Sequence, residues 1–140
     1  MKSLSLIART ALIAAGAAAA VATTTASAQA VRSERNMSLE LANRLAGDTV
    51  AACTAGGYAV TAVVVDRAGQ LRALQRADNA GPHTIGAAQA KAFTSASAKN
   101  ATLAMMDGAQ KNPAAANLTD IPGFLLLGGG VPVKDRKSVV

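Results

Sequence analysis

The chain has few of the residues that usually carry catalysis or nucleic-acid recognition. It contains no tryptophan, one tyrosine and two phenylalanines among its 140 residues. Proteins that grip single-stranded nucleic acid stack its bases on aromatic side chains, so we do not expect nucleic-acid binding. The formal net charge is +6 and the basic residues are scattered along the chain. A mildly basic surface of this kind suits an anionic small ligand or an anionic membrane.

Histidine and cysteine each occur once, as His83 and Cys53. A structural zinc site takes about four nitrogen or sulfur ligands and a catalytic one about three, so a single copy of the chain cannot supply a zinc site. Cys53 has no partner for a disulfide within the chain. We expect it to be buried in a helix as a small hydrophobe. A bridge between chains or a thiolate ligand is the alternative.

Two common catalytic motifs are also absent. No G-x-S-x-G nucleophile elbow occurs, so a hydrolase using His83 as its base lacks the expected nucleophile. The glycine run Gly128–Gly130 lacks the Lys-Ser/Thr pair of a phosphate-binding P-loop. It leads into an extended segment, which favours a turn or bulge within a hairpin.

The first 30 residues have the pattern of a cleaved secretory signal. Lys2 and Arg9 precede the apolar run Thr10–Val21, and Ala26-Ser27-Ala28 matches the small-x-small sequence at which signal peptidase cuts. A second possible cleavage site with the same pattern lies two residues later. We therefore predict a periplasmic or extracellular protein with no stable membrane insertion after cleavage. A disordered alanine-rich tail or a membrane anchor is the alternative.

The remaining segment, 31–140, has the length of one small domain. Its hydrophobic spacing and turn residues predict alternating helices and strands. The predicted elements are a helix over Met37–Ala55 begun by Ser38, strands Ala59–Val65 and Leu71–Arg76 joined by a turn at Asp66–Gly69, helices Thr84–Ala98 and Asn100–Gln110, a loop over Ala114–Pro122, a strand over Phe124–Leu127, and a last strand from Lys137.

The second predicted helix carries the most informative pattern. Its apolar stripe is made mainly of alanine, which lets another surface approach closely; the stripe is Ile85, Ala88, Ala92 and Ala96. Lys91 and Thr94 lie on a different part of the helix, and Thr84 is expected to cap it. His83 stands just before its start, where backbone N–H groups favour an anion.

Three separated motifs resemble the GlcG/HbpS-like family of small haem-binding proteins. They are VVVDRAGQLRALQRADNAGPHT (63–84), KAFTSAS (91–97) and IPGFLLLGGGVPV (121–133). The chain is also similar to the C-terminal domain of PduO. The resemblance implies an α+β, profilin-like single domain, with a central antiparallel sheet flanked by helices, that assembles as a homo-oligomer. Family members are described as binding haem, some as degrading it or as redox sensors. Since they continue with a glycine-rich strand and a closing helix, the ending at Val140 predicts a C-terminally truncated domain.

Haem is a cofactor that this composition can accommodate, because it needs only one or two axial ligands and an apolar slot. The hypothesis places His83 as the iron ligand and Thr84, Lys91 and Thr94 as further haem contacts. In the alternative interpretation His83 lies in an exposed loop and Lys91 on a solvated face of the helix. Thr84 is then a helix cap and Thr94 a packing residue.

The predicted function is therefore an exported haem-binding protein for storage, scavenging or redox sensing, with a sensor protein as a candidate partner. A haem-degrading enzyme is the second reading, since degradation also needs an open iron position and an electron donor. A module for a non-haem small ligand, or a subunit with a structural role, is the third.

Overall fold

The structure, a computed structural model, describes residues 32–136 and the backbone of Ser138 and Val139. The predicted signal segment lies outside the described residues. From Glu34 onward the chain forms one compact unit. Its elements in chain order are α1 (Leu39–Ala55), β1 (Thr61–Val65), β2 (Leu71–Arg76), α2 (His83–Ala98), α3 (Thr102–Lys111), a 3-10 helix (Pro113–Asp120), β3 (Lys134–Asp135) and β4 (Ser138–Val139).

Helix α1 begins and ends where local sequence signals predict. The Ser38 hydroxyl accepts a hydrogen bond from the Leu41 backbone N–H at 3.2 Å, which satisfies one of the free donors of the first turn. Met37, just before this cap, and Ala42 in the first turns are both buried in the core, the arrangement of a hydrophobic staple. The helix ends before Gly56, and the following Gly57 has φ +82°.

The turn between β1 and β2 also has the predicted chemistry. One carboxylate oxygen of Asp66 accepts from the backbone N–H groups of Ala68 (2.9 Å) and Gln70 (3.0 Å). Gly69 has φ +76°, and a Cβ there would lie 2.6 Å from the Phe93 ring. Glycine is therefore required at this position both by the backbone and by the neighbouring helix.

Strand β1 lies between two helices. Because side chains alternate along a strand, Ala62 and Val64 face one side, where they join α1 in the core cluster. Thr61 faces the other side, and its hydroxyl contacts the Thr84 hydroxyl of α2 at 2.7 Å. β1 and β2 are antiparallel, with a register shift between Val64 and Val65. Within the described residues β1 pairs only with β2, so its other edge has no neighbouring strand.

The α+β class is confirmed, but the predicted strand over Phe124–Leu127 is wrong. The described residues form two separate two-stranded antiparallel sheets, β1–β2 and β3–β4. Side-chain hydroxyls on helices bind the backbone of 124–127 instead of a strand: the Leu125 N–H donates to the Thr94 hydroxyl at 2.8 Å, and the Thr102 hydroxyl donates to the Leu127 carbonyl at 2.7 Å.

Several local predictions in the second half are also corrected. Thr84 does not cap α2, because the helix already includes His83 and the Thr84 hydroxyl donates back to the Gly81 carbonyl at 2.6 Å. The helix predicted over Asn100–Gln110 is α3, Thr102–Lys111, whose buried side chains are Thr102 and Met105.

The remaining corrections concern a loop, a short strand and the cysteine. The predicted loop 114–122 is largely the 3-10 helix, whose first turn is capped by the Asn112 side chain accepting from Ala114 N–H at 3.0 Å. Lys134 and Asp135 form the short strand β3, for which the sequence pattern predicts no element. Cys53 is a free thiol and half-buried rather than buried, because α1 turns mainly its alanines toward the core.

Candidate functional site

A cavity of about 240 Å³ runs along the open edge of β1. All five residues of β1 line it, from Thr61 to Val65, which places it beside the edge of the strand rather than over one face of the sheet. Leu45 and Thr49 of α1 close one side. The segment 129–133 also lines it. The cavity is therefore a groove between the two helices, with β1 as its floor.

Helix α2 supplies the second wall from its small residues. Ala88, Ala92 and Ala96 line the cavity, as three of the four residues in the predicted alanine stripe. They recur at intervals of four, so they lie on one face of the helix. Short side chains leave room between α2 and β1, whereas the alanine pattern predicted the close approach of another surface.

Lys91 lies in the same wall and is the one ionisable residue among the described residues that line the cavity. Its side chain is half-buried. The ammonium group donates a hydrogen bond to the Gly128 carbonyl at 3.2 Å. No carboxylate in the described part of the chain forms an ion pair with Lys91. The described lining is thus largely apolar and carries one positive charge, which no carboxylate of these residues neutralises.

The run Gly128–Gly130 is a closely packed segment rather than a flexible one. A Cβ at Gly130 would lie 2.5 Å from the Lys91 carbonyl oxygen and 2.8 Å from the Thr102 side chain. Gly129 has φ +122°, and a Cβ there would lie 3.0 Å from the Lys91 ammonium nitrogen. The Gly130 N–H donates to the Thr102 hydroxyl at 2.9 Å, and its carbonyl accepts from Thr102 N–H at the same distance. Glycine lets this segment contact α2 and α3 at once.

Thr94 lies outside the cavity lining. Its side chain is fully buried. The hydroxyl donates to the Ala90 carbonyl at 2.8 Å and accepts from the Leu125 N–H at 2.8 Å. The first hydrogen bond lies within α2, and the second connects α2 with the segment that leads to the glycine run.

His83 and Thr84 lie at the other end of α2. His83 is exposed and its ring lies over Gly81, where a Cβ would be 2.7 Å from the imidazole. Thr84 is half-buried, and its hydroxyl contacts that of Thr61 in the cavity wall. His83 is thus next to the Thr61 end of the groove without lining it. Lys91 is eight residues further along α2, about 12 Å at the rise of an α-helix.

The structure therefore brings only some of the predicted site residues together. Lys91 lines the cavity, Thr84 touches its wall, His83 is beside its end, and Thr94 is buried in another contact. Sequence reasoning missed the contributions of β1 and of Gly129–Val133. The signal that could have found the latter is the run of three glycines, since such a run often marks a close approach of the backbone to another element.

In the part of the chain that the structure describes, no three His, Cys, Asp or Glu side chains come close enough to hold a metal ion. No helix in the same part combines the length and the apolar character needed to cross a membrane.

The described chain is a small α+β domain with a groove between two helices. It matches the family model "Haem degrading protein HbpS-like" over residues 37–140. The match covers most of the sequence and agrees with the motif resemblance, and the chain belongs to this HbpS-like family. No curated protein matches the chain.

Solved structures agree with the family assignment. Crystal structures of HbpS and of a double mutant of Streptomyces reticuli HbpS are both 34% identical to this chain, with TM-scores of 0.73 and 0.72. The matches cover 79% and 78% of this chain and 76% and 73% of the HbpS chains. The Klebsiella pneumoniae protein ORFY is 26% identical, with a TM-score of 0.71, and the match covers 79% of this chain and 78% of ORFY.

Proposed function

We propose that this protein binds haem and acts outside the cytoplasm in haem storage, scavenging or redox sensing. The observation that carries the proposal is the family match over residues 37–140, whose description is haem-related. The apolar groove along β1 supports it by offering a surface for a flat apolar ligand.

The groove fits the edge of a haem rather than the whole macrocycle. Pockets that enclose a drug-sized ligand measure about 300–1,000 Å³, whereas this cavity measures about 240 Å³. Its walls of alanine and valine side chains would pack against the apolar part of the macrocycle. Bound haem would supply an iron centre for ligand or electron chemistry, and the residues of the chain would hold and orient it.

His83 is the proposed iron ligand. It is the one imidazole in the chain, it is exposed to an incoming ligand, and it is next to the Thr61 end of the groove. Thr94 is a weaker candidate for a haem contact, because its hydroxyl is buried and both of its hydrogen bonds are to backbone groups.

A hemin titration tests the proposal. We expect saturable binding with one haem per chain or less and a shift of the Soret band. His83→Ala should lower hemin affinity tenfold or more, equal to about 1.4 kcal/mol, and should change the EPR spectrum of the ferric complex. Gln89→Ala, an exposed position on the same helix, is the control and should bind hemin as the wild type does.

Two outcomes would count against these assignments separately. Absence of saturable binding would contradict haem binding and favour a non-haem ligand or a structural role. Identical spectra and affinities with and without His83 would remove this residue as the ligand while leaving haem binding intact.

Oxidative haem degradation is the second candidate, and the description of the family as haem-degrading favours it. Adding a reductant and oxygen to the hemin complex distinguishes it from binding alone. Loss of the Soret band together with the appearance of cleaved tetrapyrrole products would support an enzyme. A stable Soret band under the same conditions would support a binding protein.

A homo-oligomer is part of the proposal. Three large apolar side chains are exposed: Leu103 by 53%, Leu127 by 48% and Val131 by 68%. Leu103 lies close to Gly128, which is between Leu127 and Val131 in the sequence. Exposed apolar groups of this kind are commonly covered by a partner, and sedimentation would give the number of chains in the assembly.

A further inference from the structure

The groove along β1 contains the positive charge of Lys91, which no carboxylate of the described residues neutralises. Lys91 lines the cavity among apolar side chains and backbone. An ammonium group has three N–H donors, and the structure assigns one of them, to the Gly128 carbonyl. A half-buried cation without a nearby carboxylate favours an anion, because the low dielectric of the surroundings strengthens the attraction.

We propose that the groove recognises the carboxylate of an otherwise apolar ligand, and that Lys91 pairs with this carboxylate. The inference rests on the proposed function, in which the ligand is haem and the carboxylate is one of its propionates. Lys91 is then a specificity-determining residue: the apolar walls of the groove accept the macrocycle edge, and the ammonium requires that a free acid be present at that end.

The glycine run fixes the position of this ammonium group. The Lys91 nitrogen lies 3.0 Å from where a Cβ of Gly129 would stand, and it is bound to the preceding carbonyl of Gly128. The side chain is therefore held at the boundary between α2 and the segment 129–133. A cation held in advance pairs with an anion at a lower entropic cost than a freely rotating surface lysine does.

The positive charge of Lys91 lies away from the start of α2, where backbone N–H groups would also favour an anion. Thr61 and His83 are at the start of α2, whereas Lys91 is about 12 Å further along the helix axis. A ligand with its carboxylate at Lys91 can extend toward His83 along the groove. Lys91 would then contact a propionate of the haem and His83 its iron.

The test compares hemin with hemin dimethyl ester, in which both propionates are blocked, in wild type and in Lys91→Met. Methionine keeps an unbranched apolar side chain but removes the charge. We expect Lys91→Met to lower hemin affinity tenfold or more and to leave the affinity for the ester unchanged. Lys91→Arg should restore most of the affinity for hemin. Lys111→Met, at an exposed position in the last turn of α3, is the control and should have no effect on either ligand.

Comparing hemin with its dimethyl ester on the wild type alone tests the proposal without any variant, so the result does not depend on whether a variant folds. Equal affinity of the wild type for hemin and for its ester, or an equal loss for both ligands in Lys91→Met, would overturn the role of Lys91 while haem binding stands. Binding of neither compound to the wild type would instead contradict the proposed function, and the inference with it.

Discussion

Lys91 and Thr94 are three residues apart on α2 and have different surroundings. Lys91 reaches the cavity and the Gly128 carbonyl. Thr94 is fully buried and connects α2 to Leu125. The two residues belong to the same sequence motif, yet one lines the cavity and the other connects two segments of the fold.

We predict that Thr94→Val destabilises the protein by about 1–3 kcal/mol. Valine has nearly the same shape as threonine, but it leaves the Leu125 N–H without its acceptor, and an unsatisfied buried donor costs about this much. Thermal unfolding followed by circular dichroism measures the change. In a domain of this size, 1 kcal/mol lowers the melting temperature by about 4–8 °C.

Thr49→Val is the matched control for Thr94→Val. Thr49 is also in a helix and its hydroxyl also donates to a carbonyl four residues earlier, at 2.7 Å, but it is exposed. Its loss should change the free energy of unfolding by about 0.5 kcal/mol or less. Equal melting temperatures for the two variants would contradict a structural role for Thr94.

At the scale of elements, the glycine run joins two helices to the cavity wall. Gly130 exchanges two hydrogen bonds with Thr102 of α3 and lies against the backbone of Lys91 in α2. The spacing between α2, α3 and segment 129–133 therefore depends on the absence of a side chain at this position.

We predict that Gly130→Ala destabilises the fold by about 1–3 kcal/mol, the usual cost of inserting an atom group into a packed site. The new Cβ would meet the Lys91 carbonyl at 2.5 Å, and backbone atoms cannot move aside as a flexible side chain can. Urea unfolding with a two-state fit measures the difference.

Gly108→Ala provides the opposite control. Gly108 is inside α3, and a Cβ there meets nothing within 4 Å. Alanine should stabilise the helix by about 0.5–1 kcal/mol, because it has less backbone freedom to lose on folding. A Gly130→Ala variant as stable as the wild type would show that the glycine run is not closely packed in solution.

At the scale of the whole molecule, the proposed location outside the cytoplasm depends on the first 30 residues. The proposal requires that these residues direct export and are then removed, so that the domain meets its ligand outside the cytoplasm.

We predict that the exported protein begins at Gln29 or Val31. Both starts follow alanines that satisfy the small-x-small rule of signal peptidase, and intact-mass spectrometry of the exported fraction identifies them. Ala28→Leu should block both cuts, since residue 28 is the last residue of one cleavage frame and the third from last of the other. Ala20→Leu, within the apolar run, is the control and should be processed normally. An exported protein that retains Met1 would contradict the prediction.

The sequence by itself determined the elements of the first half, because their signals are local. The Ser38 cap and the Asp66–Gly69 turn each act within a few residues, and both are present in the structure. The motifs were also sufficient to assign the family. The alanine stripe of α2 predicted the close approach of another surface, and three of its residues line the cavity beside β1 instead.

Only the tertiary structure decided what the second half of the chain does. Leu125 looked like part of a strand, but its N–H binds a hydroxyl 31 residues earlier in the sequence, and Lys91 binds a carbonyl 37 residues later. The open edge of β1, the packing of Gly130 and the separation of Lys91 from Thr94 likewise depend on contacts between distant segments. Residue patterns report local backbone preferences and burial, whereas hydrogen bonds between distant segments are chosen by the competition among all available partners once the chain is compact.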